Sequence, residues 1–144
     1  MITIKKISRI EVWSLVELSY QGDDDLFEKY HVAKMRFEDC VKCTIDMIEK
    51  VAREKNLVCY KIMFNKKAIG YMITFTDFLY SYAINIKFRK KNILTEWWKQ
   101  VRKIMGRQFA TGLYENNTRA IEFLKKQGMQ FVGKSNDILV FINN

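Results

Sequence analysis

The residues with the clearest chemical potential are a run of basic side chains between positions 87 and 107. Eight lysines and arginines lie there, and Glu96 is the single acidic residue among them. Residues 61–144 carry 15 basic and 5 acidic side chains, whereas residues 1–60 carry 10 and 11, so the whole net charge of +9 belongs to the C-terminal part. This concentration of positive charge favours a polyanionic partner. The alternative is a solvated face that keeps the protein soluble.

A second chemical candidate is the pair Cys40-x-x-Cys43, whose spacing occurs in zinc and redox sites. The pair falls inside a predicted helix without a second pair, and His31 and Cys59 would complete four ligands only through tertiary proximity. We therefore expect free thiols and no metal. His31 is the only histidine and has no Ser or Cys motif beside it, so no catalytic triad is predicted.

A third candidate is the Trp97–Trp98 pair in a basic helix, since such rings stack on bases of single-stranded nucleic acid. The alternative is one ring in the core and one at its margin. We expect this structural role and do not expect nucleic acid as a partner.

Length and composition predict one globular domain spanning residues 1–144. Hydrophobic residues make up 49% of the chain, yet no stretch approaches the roughly 18 apolar residues of a membrane span. The N-terminal residues alternate in polarity and lack the apolar block of a signal peptide. Three cysteines fit a reducing compartment. These features predict a soluble, cytoplasmic protein without a membrane span.

Hydrophobic periodicity predicts the order β-α-α-β-β-β-α-β-α-β-β. The strand–helix–strand crossover over 79–114 implies a parallel pair, and the hairpins before it imply antiparallel pairs. The fold class is therefore α/β, with a mixed, mostly antiparallel, twisted sheet and flanking helices. The predicted strands are 2–7, 57–64, 68–75, 79–88, 107–114, 129–133 and 137–143. The first predicted helix begins after Ser8, two more cover about 37–54 and 93–105, and the last is the capped helix within 115–129.

The segment "NTRAIEFLKKQGM", together with this element order, resembles the GNAT superfamily of acyl-CoA-dependent N-acetyltransferases. The resemblance covers the whole chain in element order and is sharp in sequence over about 68–133. In the family, a helix of the type "N-x-x-A-I-x-x-Y-x-K-x-G-F" follows a strand. The matching residues here are Asn117, Ala120, Ile121, Lys126 and Gly128, with Met129 in the Phe position.

The resemblance implies a site for acetyl-CoA, or another acyl-CoA, where strands 79–88 and 107–114 splay apart. Its phosphates would meet the segment that matches "R/Q-x-x-G-x-G/A", where Arg89 matches and Asn92 and Leu94 replace small residues, which predicts a narrowed mouth. Its pantetheine would pair with backbone near Ile86–Phe88. The implied cofactor-binding residues are Ile86, Lys87, Phe88, Arg89, Lys90, Lys91, Asn92, Ile93, Leu94 and Asn117.

For catalysis, the resemblance implies direct attack of an amine on the thioester, with Asn117 orienting the thioester arm. Leu124 stands where the family often has the Tyr that protonates the thiolate, so Tyr114 is the nearest candidate acid. Asn85 and Asp77 are the polar residues near the expected position of a general base. The acceptor would be a small-molecule or protein amine.

A non-catalytic role is the alternative. Small internal virion proteins of short-tailed phages are similar in carrying an "N-T-x-x-I-x-F-L-K-x-x-G" helix, including the Leu in place of Tyr. That likeness implies a protein used in virion structure, assembly or host interaction. Its partner would be a phage or host protein, and its location the host cytoplasm or the virion.

Overall fold

The computed structural model of the protein describes residues 1–23 and 37–143. Its elements follow the predicted order, and His31 lies outside the described residues. The strands are β1 (Ile2–Ile7), β2 (Val58–Phe64), β3 (Lys67–Phe75), β4 (Phe78–Ile84), β5 (Phe109–Tyr114), β6 (Gln130–Ser135) and β7 (Ile138–Asn143). The helices in these ranges are α1 (Arg9–Tyr20), α2 (Phe37–Ala52), α3 (Lys91–Met105) and α4 (Thr118–Lys126).

The strands form one sheet in the order β1-β2-β3-β4-β5-β7-β6. Neighbouring strands are antiparallel except β4 and β5, which are parallel because α3 carries the chain across the sheet between them. The predicted fold class, a mixed and mostly antiparallel sheet with a parallel central pair, is confirmed. No helix within the described ranges has the length and apolar character needed to cross a membrane.

Local sequence signals determine where two of the helices begin and end. Ser8 and Glu11 form a capping box at the start of α1. The Asn117 side chain accepts a hydrogen bond from the Ala120 amide, so Asn117 rather than Asn116 is the N-cap of α4. Gly128 follows the last turn of α4 with a φ of +88°, a conformation that glycine adopts without strain. These are the caps that the opening and closing residues of this segment predict.

The two faces of the sheet carry separate cores. On one face, which we call the α1/α2 face, residues such as Val12, Val16 and Ile48 pack on Tyr71 and Ile73 of β3. The opposite, α3/α4 face is covered by α3 and α4 and is rich in aromatic rings. This second core contains an aromatic cluster of Tyr82, Trp97, Trp98, Phe109 and Phe123, with ring centroids 5.4–6.4 Å apart.

Both tryptophans of the Trp97–Trp98 pair belong to this cluster. Their exposed fractions are 3% and 1%, so the expectation of one ring at the core margin is wrong. Trp97 contacts Tyr82 of β4, and Trp98 contacts Phe109 of β5, so both members of the pair are used in packing. Neither ring is available to stack on a base.

The fourth strand ends earlier than its sequence pattern predicts. The alternation of Ile84, Ile86 and Phe88 indicates a strand to residue 88, but β4 stops at Ile84 and residues Ile86–Phe88 form a 3₁₀ turn. The cause is Asn85, whose side-chain oxygen accepts from the Lys87 amide at 3.0 Å and whose side-chain nitrogen donates to the Leu18 carbonyl at 2.7 Å. An asparagine that bonds locally in this way competes with the strand ladder.

The close pairing of β3 and β4 makes Gly70 a sensitive position. A Cβ at Gly70 would lie 2.2 Å from the Ala83 carbonyl oxygen and 3.0 Å from the Ile84 Cα, both backbone atoms. We expect Gly70→Ala to lower the free energy of unfolding by about 3 kcal/mol or more, measured by urea denaturation. Gly133→Ala, which meets nothing within 4 Å, is the control and should change stability by less than about 0.5 kcal/mol. Equal effects at both positions would contradict the strand register.

Candidate active site

The centre of the sheet is only partly closed. β4 and β5 pair at Phe78 with Ala110 and at Leu79 with Thr111, and the strands then diverge. Beyond those two pairs, no residue of Tyr80–Ile84 pairs with a residue of Gly112–Tyr114. We call the gap between these two segments the slot. The splay of the parallel pair, expected from the resemblance, is thus present.

A β-bulge shapes the β4 wall of the slot. Ile73 pairs with Ser81 and Thr74 pairs with Leu79, so Tyr80 is an extra residue in β4. A bulge changes the direction of side chains next to it. Tyr80 packs against the α1/α2 core, and the neighbouring Ser81 hydroxyl also bonds on that face, to Tyr71. Two successive hydroxyl-bearing residues therefore face the same side at the start of the slot.

The open end of the slot leads to the start of α3. Its N-cap is Lys90, which makes no side-chain cap, and its first turn contains no acidic residue. Among the described residues, none accepts a hydrogen bond from the amides of Lys91, Asn92 or Ile93. Free amides and the helix dipole give this end a positive partial charge that favours a bound anion. The positive charges of Lys90 and Lys91 are repelled by that partial charge when no anion is bound. The arrangement fits a phosphate group.

Arg89, the residue that matches the family motif, is held by the fold. Its Nη1 donates to Asp23 Oδ2 at 2.5 Å, and its Nε donates to the Ile84 carbonyl at 2.7 Å. Asp23 is 1% exposed, and its Oδ1 has no hydrogen-bond partner among the described residues. The Arg89 guanidinium therefore neutralises a buried carboxylate and secures the end of β4. No sequence motif indicates Asp23, which lies 66 residues away.

The backbone amides of Lys87 and Phe88, which are expected to lie near the pantetheine arm, make local hydrogen bonds. The Lys87 amide donates to the Asn85 side chain, and the Phe88 amide donates to the Asn85 carbonyl. These groups are therefore not available for strand-like pairing. The backbone that faces the slot belongs instead to Tyr80–Ile84.

The replacements in the motif have different consequences. Asn92 is exposed on the first turn of α3, whereas Ile93 is 7% exposed and packs in the core. Leu94 and Trp97 both pack into the α3/α4 core. The expectation that the Leu94 side chain narrows the mouth is not supported, because that side chain is used in helix packing.

Tyr114 lies at the end of β5 on the α1/α2 face, where its side chain is half-buried. Burial raises the pKa of its hydroxyl, and the nearby Asp137 raises it further. Burial raises the pKa of Tyr20 and Tyr80, and the Tyr114 charge adds to both increases, so the three phenols lie within electrostatic range of one another. A phenol in this environment keeps its proton at neutral pH.

The other residues with an expected catalytic role lie at the margins of the slot or away from it. Asn117 caps α4, and Leu124 is 1% exposed in the α3/α4 core. Asn85 lies beyond β4, with its amide group used by Leu18 and Lys87, and Asp77 lies in the exposed turn that precedes β4, at the opposite end from the slot. Neither Asn85 nor Asp77 is placed to remove a proton in the slot.

The cysteines do not form a cluster of ligands. Within residues 1–23 and 37–143, no three His, Cys, Asp or Glu side chains are close enough to hold a metal ion. Cys40 is buried and Cys43 is exposed. Burial, together with Cys43, raises the pKa of Cys40 to about 11, which makes it a poor nucleophile at neutral pH.

Solved structures share this arrangement of strands and helices over nearly the whole chain. The PaiA N-acetyltransferase from Thermoplasma acidophilum, in complex with coenzyme A, aligns with a TM-score of 0.75 at 12% identity, covering 100% of this chain and 99% of that one. The chain has the GNAT fold. An acetyltransferase from Thermus thermophilus also aligns with a TM-score of 0.75 at 12% identity, over 99% and 96% of the two chains.

An aminoglycoside acetyltransferase in complex with coenzyme A aligns with a TM-score of 0.70 at 15% identity, over 100% of this chain and 94% of that one. At sequence identities this low, the structural alignments establish a common fold, and the activities belong to the named proteins. No protein-family model and no curated protein sequence matches the chain.

The Asp23–Arg89 pair predicts a large loss of stability when one partner is removed. Arg89→Met leaves the Asp23 carboxylate buried without a counter-charge, which should lower the free energy of unfolding by about 3 kcal/mol. Lys134→Met breaks the exposed ion pair with Glu115 and should cost less than about 1 kcal/mol. Urea denaturation of both variants provides the comparison. If the two losses are equally small, Arg89 does not stabilise a buried charge.

Proposed function

We propose that the protein is an acyl-CoA-dependent N-acyltransferase that transfers an acetyl or other short acyl group to an amine. The observation that carries this proposal is the slot, where β4 and β5 separate after two residue pairs and open toward the start of α3. A fully paired sheet would offer no room for an extended arm between these strands. The GNAT fold of the chain supports the same function.

The proposed cofactor-binding groups are exposed side chains and backbone groups that are not used within the described part of the fold. Lys90 and Lys91 are exposed at the start of α3, and with the amides of Lys91, Asn92 and Ile93 they would hold the phosphates of the CoA moiety. Arg89 would act by holding the end of β4 in place. The backbone of Tyr80–Ile84 would hydrogen-bond to the pantetheine arm, and Asn117 would orient it from the start of α4.

Acyl-CoA supplies a thioester carbonyl that is open to attack by an amine. The protein would mainly align the two reactants, which alone accelerates a reaction between them. Tyr114, which holds its proton at neutral pH, would donate it to the departing sulfur. General acid catalysis of this kind contributes about 10²–10⁴ in rate. With Leu124 buried in the core, the described residues of α4 bring no second phenol to that position.

Our first test of the proposal concerns the phosphates. We expect the double change Lys90→Ala and Lys91→Ala to weaken acetyl-CoA binding at least about tenfold, or about 1.4 kcal/mol, by calorimetry. Both lysines are exposed, so the fold should tolerate their removal.

The matched control is Lys99→Ala with Lys103→Ala, which removes the same charge from the same helix about 12–18 Å beyond Lys91. The control should weaken binding less than threefold. Equal weakening would indicate a general effect of net charge, and unchanged binding in the first variant would exclude this position for the phosphates. A wild-type protein that does not bind acetyl-CoA would favour the non-catalytic virion or host-interaction role.

The second test concerns the proton donor. We expect Tyr114→Phe to lower kcat at least about tenfold without a comparable change in acetyl-CoA affinity. Conversely, Leu124→Tyr should raise the rate by restoring a phenol to α4, and Leu124→Phe is its control because it adds the ring without the hydroxyl. Rates are measured as thiol release from acetyl-CoA with an alkylamine. A Tyr114→Phe variant with full kcat would remove Tyr114 from the mechanism.

A further inference from the structure

Four hydroxyl groups form a chain from the slot to the outer helix on the α1/α2 face. Ser81 Oγ on β4 lies 2.9 Å from Tyr71 Oη on β3, which lies 3.3 Å from Tyr20 Oη on α1. Tyr20 Oη lies 3.4 Å from Thr44 Oγ1 on α2. We call these four residues the hydroxyl relay. It begins just beyond the last β4–β5 pair and ends at a half-buried residue next to the exposed Cys43.

The relay has the chemical properties that proton transfer requires. In each of its three links either oxygen can be the donor, because a hydroxyl both donates and accepts. Burial raises the pKa of Tyr71 well above 10, with Tyr20 adding to the effect, and burial also raises the pKa of Tyr20. The phenols therefore stay protonated at neutral pH. Their remaining titratable neighbours are Tyr80, Tyr114 and Cys40.

Packing alone is a weak explanation for these hydroxyls. Tyr71 is 0% exposed and Tyr20 is 9% exposed, and a Phe would fill the same space without a polar group to satisfy. The links at 3.3 and 3.4 Å are longer than the roughly 2.7 Å typical of strong O–H···O bonds, so they add little stability. Proton transfer across them requires a brief approach of the oxygens by about 0.6–0.7 Å.

We propose that the hydroxyl relay removes the proton that the acceptor amine must lose, carrying it from the slot to solvent at α2. The proposal rests on the proposed acyl transfer, and it gives the protein a proton path without a carboxylate or histidine base. Ser81 would be the member that faces the amine, since it follows the bulge at the start of the slot.

The protons balance as follows. The amine arrives as an ammonium ion and gives one proton to Ser81 Oγ, while the Ser81 proton moves to Tyr71, the Tyr71 proton to Tyr20, the Tyr20 proton to Thr44, and the Thr44 proton to water. The neutral nitrogen then bonds to the thioester carbonyl carbon, and the carbon–sulfur bond breaks. The second proton passes from the nitrogen to Tyr114 Oη as Tyr114 gives its own proton to the thiolate, so Tyr114 is unchanged at the end. One proton in total is released to solvent.

The relay is serial, which gives it a distinctive kinetic signature. With acetyl-CoA and 1,4-diaminobutane as probes, we expect Tyr71→Phe and Tyr20→Phe each to lower kcat at least about tenfold, and the double variant to lower it no further. The losses should shrink as the pH rises to about 10.4 and above, where half or more of an alkylamine arrives already neutral. Tyr60→Phe is the control, because Tyr60 is a buried tyrosine in the α3/α4 core outside the relay. Additive losses, or losses that do not depend on pH, would overturn the proposal.

A measurement without turnover separates this inference from the proposed function. Proton exchange between the Tyr71 hydroxyl and water, followed by NMR, should slow at least about tenfold in Thr44→Val, which removes the outer hydroxyl and keeps the shape. An unchanged exchange rate would overturn the relay even if acyl transfer is observed. If the wild-type protein transfers no acetyl group, the proposed function fails, and the exchange rates alone decide whether the proton path exists.

Discussion

Two residue pairs hold the halves of the sheet together, and the rest of the molecule depends on how that narrow junction is supported. Within the described strands, only Phe78–Ala110 and Leu79–Thr111 join β4 to β5. The junction gains one further bond from the Thr111 hydroxyl, which donates to the Leu79 carbonyl at 2.9 Å. Further support comes from the aromatic cluster, in which Trp97 contacts Tyr82 of β4 and Trp98 contacts Phe109 of β5. Ring packing thus replaces the missing ladder and allows the strands to diverge.

The polarity of the site follows from the two faces of this sheet. On the α3/α4 face the helix start supplies free amides and lysines, which suit an anion. On the α1/α2 face the bulge in β4 places Tyr80 and Ser81 on the same side, where the Ser81 hydroxyl bonds to Tyr71. The Asp23–Arg89 pair links the two faces, because Asp23 follows α1 and Arg89 precedes α3. A helix start that suits an anion and a group of linked hydroxyls therefore lie on opposite faces of the sheet at one gap.

Much of the fold is predictable from the sequence, because most of its signals are local. Alternating polarity in β2 and β3, and the caps Ser8, Asn117 and Gly128, are visible within a few residues. The position of the slot also follows once the crossover between β4 and β5 is recognised. Features that depend on distant partners were not predictable. Ile84, Ile86 and Phe88 alternate as a strand does, and the strand stops where Asn85 bonds both to the nearby Lys87 amide and to the Leu18 carbonyl, 67 residues away.

The candidate site was harder to predict than the fold for the same reason. Arg89 matched a ligand-binding motif, and its pairing with Asp23 emerged only in three dimensions. The hydroxyl relay draws on four separate elements, so no spacing in the sequence indicates it.

The tryptophans of the neighbouring core have a practical consequence. Trp97 and Trp98 are enclosed by other rings, whereas Trp13 is 42% exposed and its indole nitrogen donates to Glu49. Excited indoles emit at shorter wavelength in apolar surroundings than in water, so the two environments are separable by fluorescence. Because Trp97 contacts Tyr82 at a centroid distance of 5.4 Å, its emission originates beside the slot wall. The protein therefore carries its own optical reporter of that wall, without any added label.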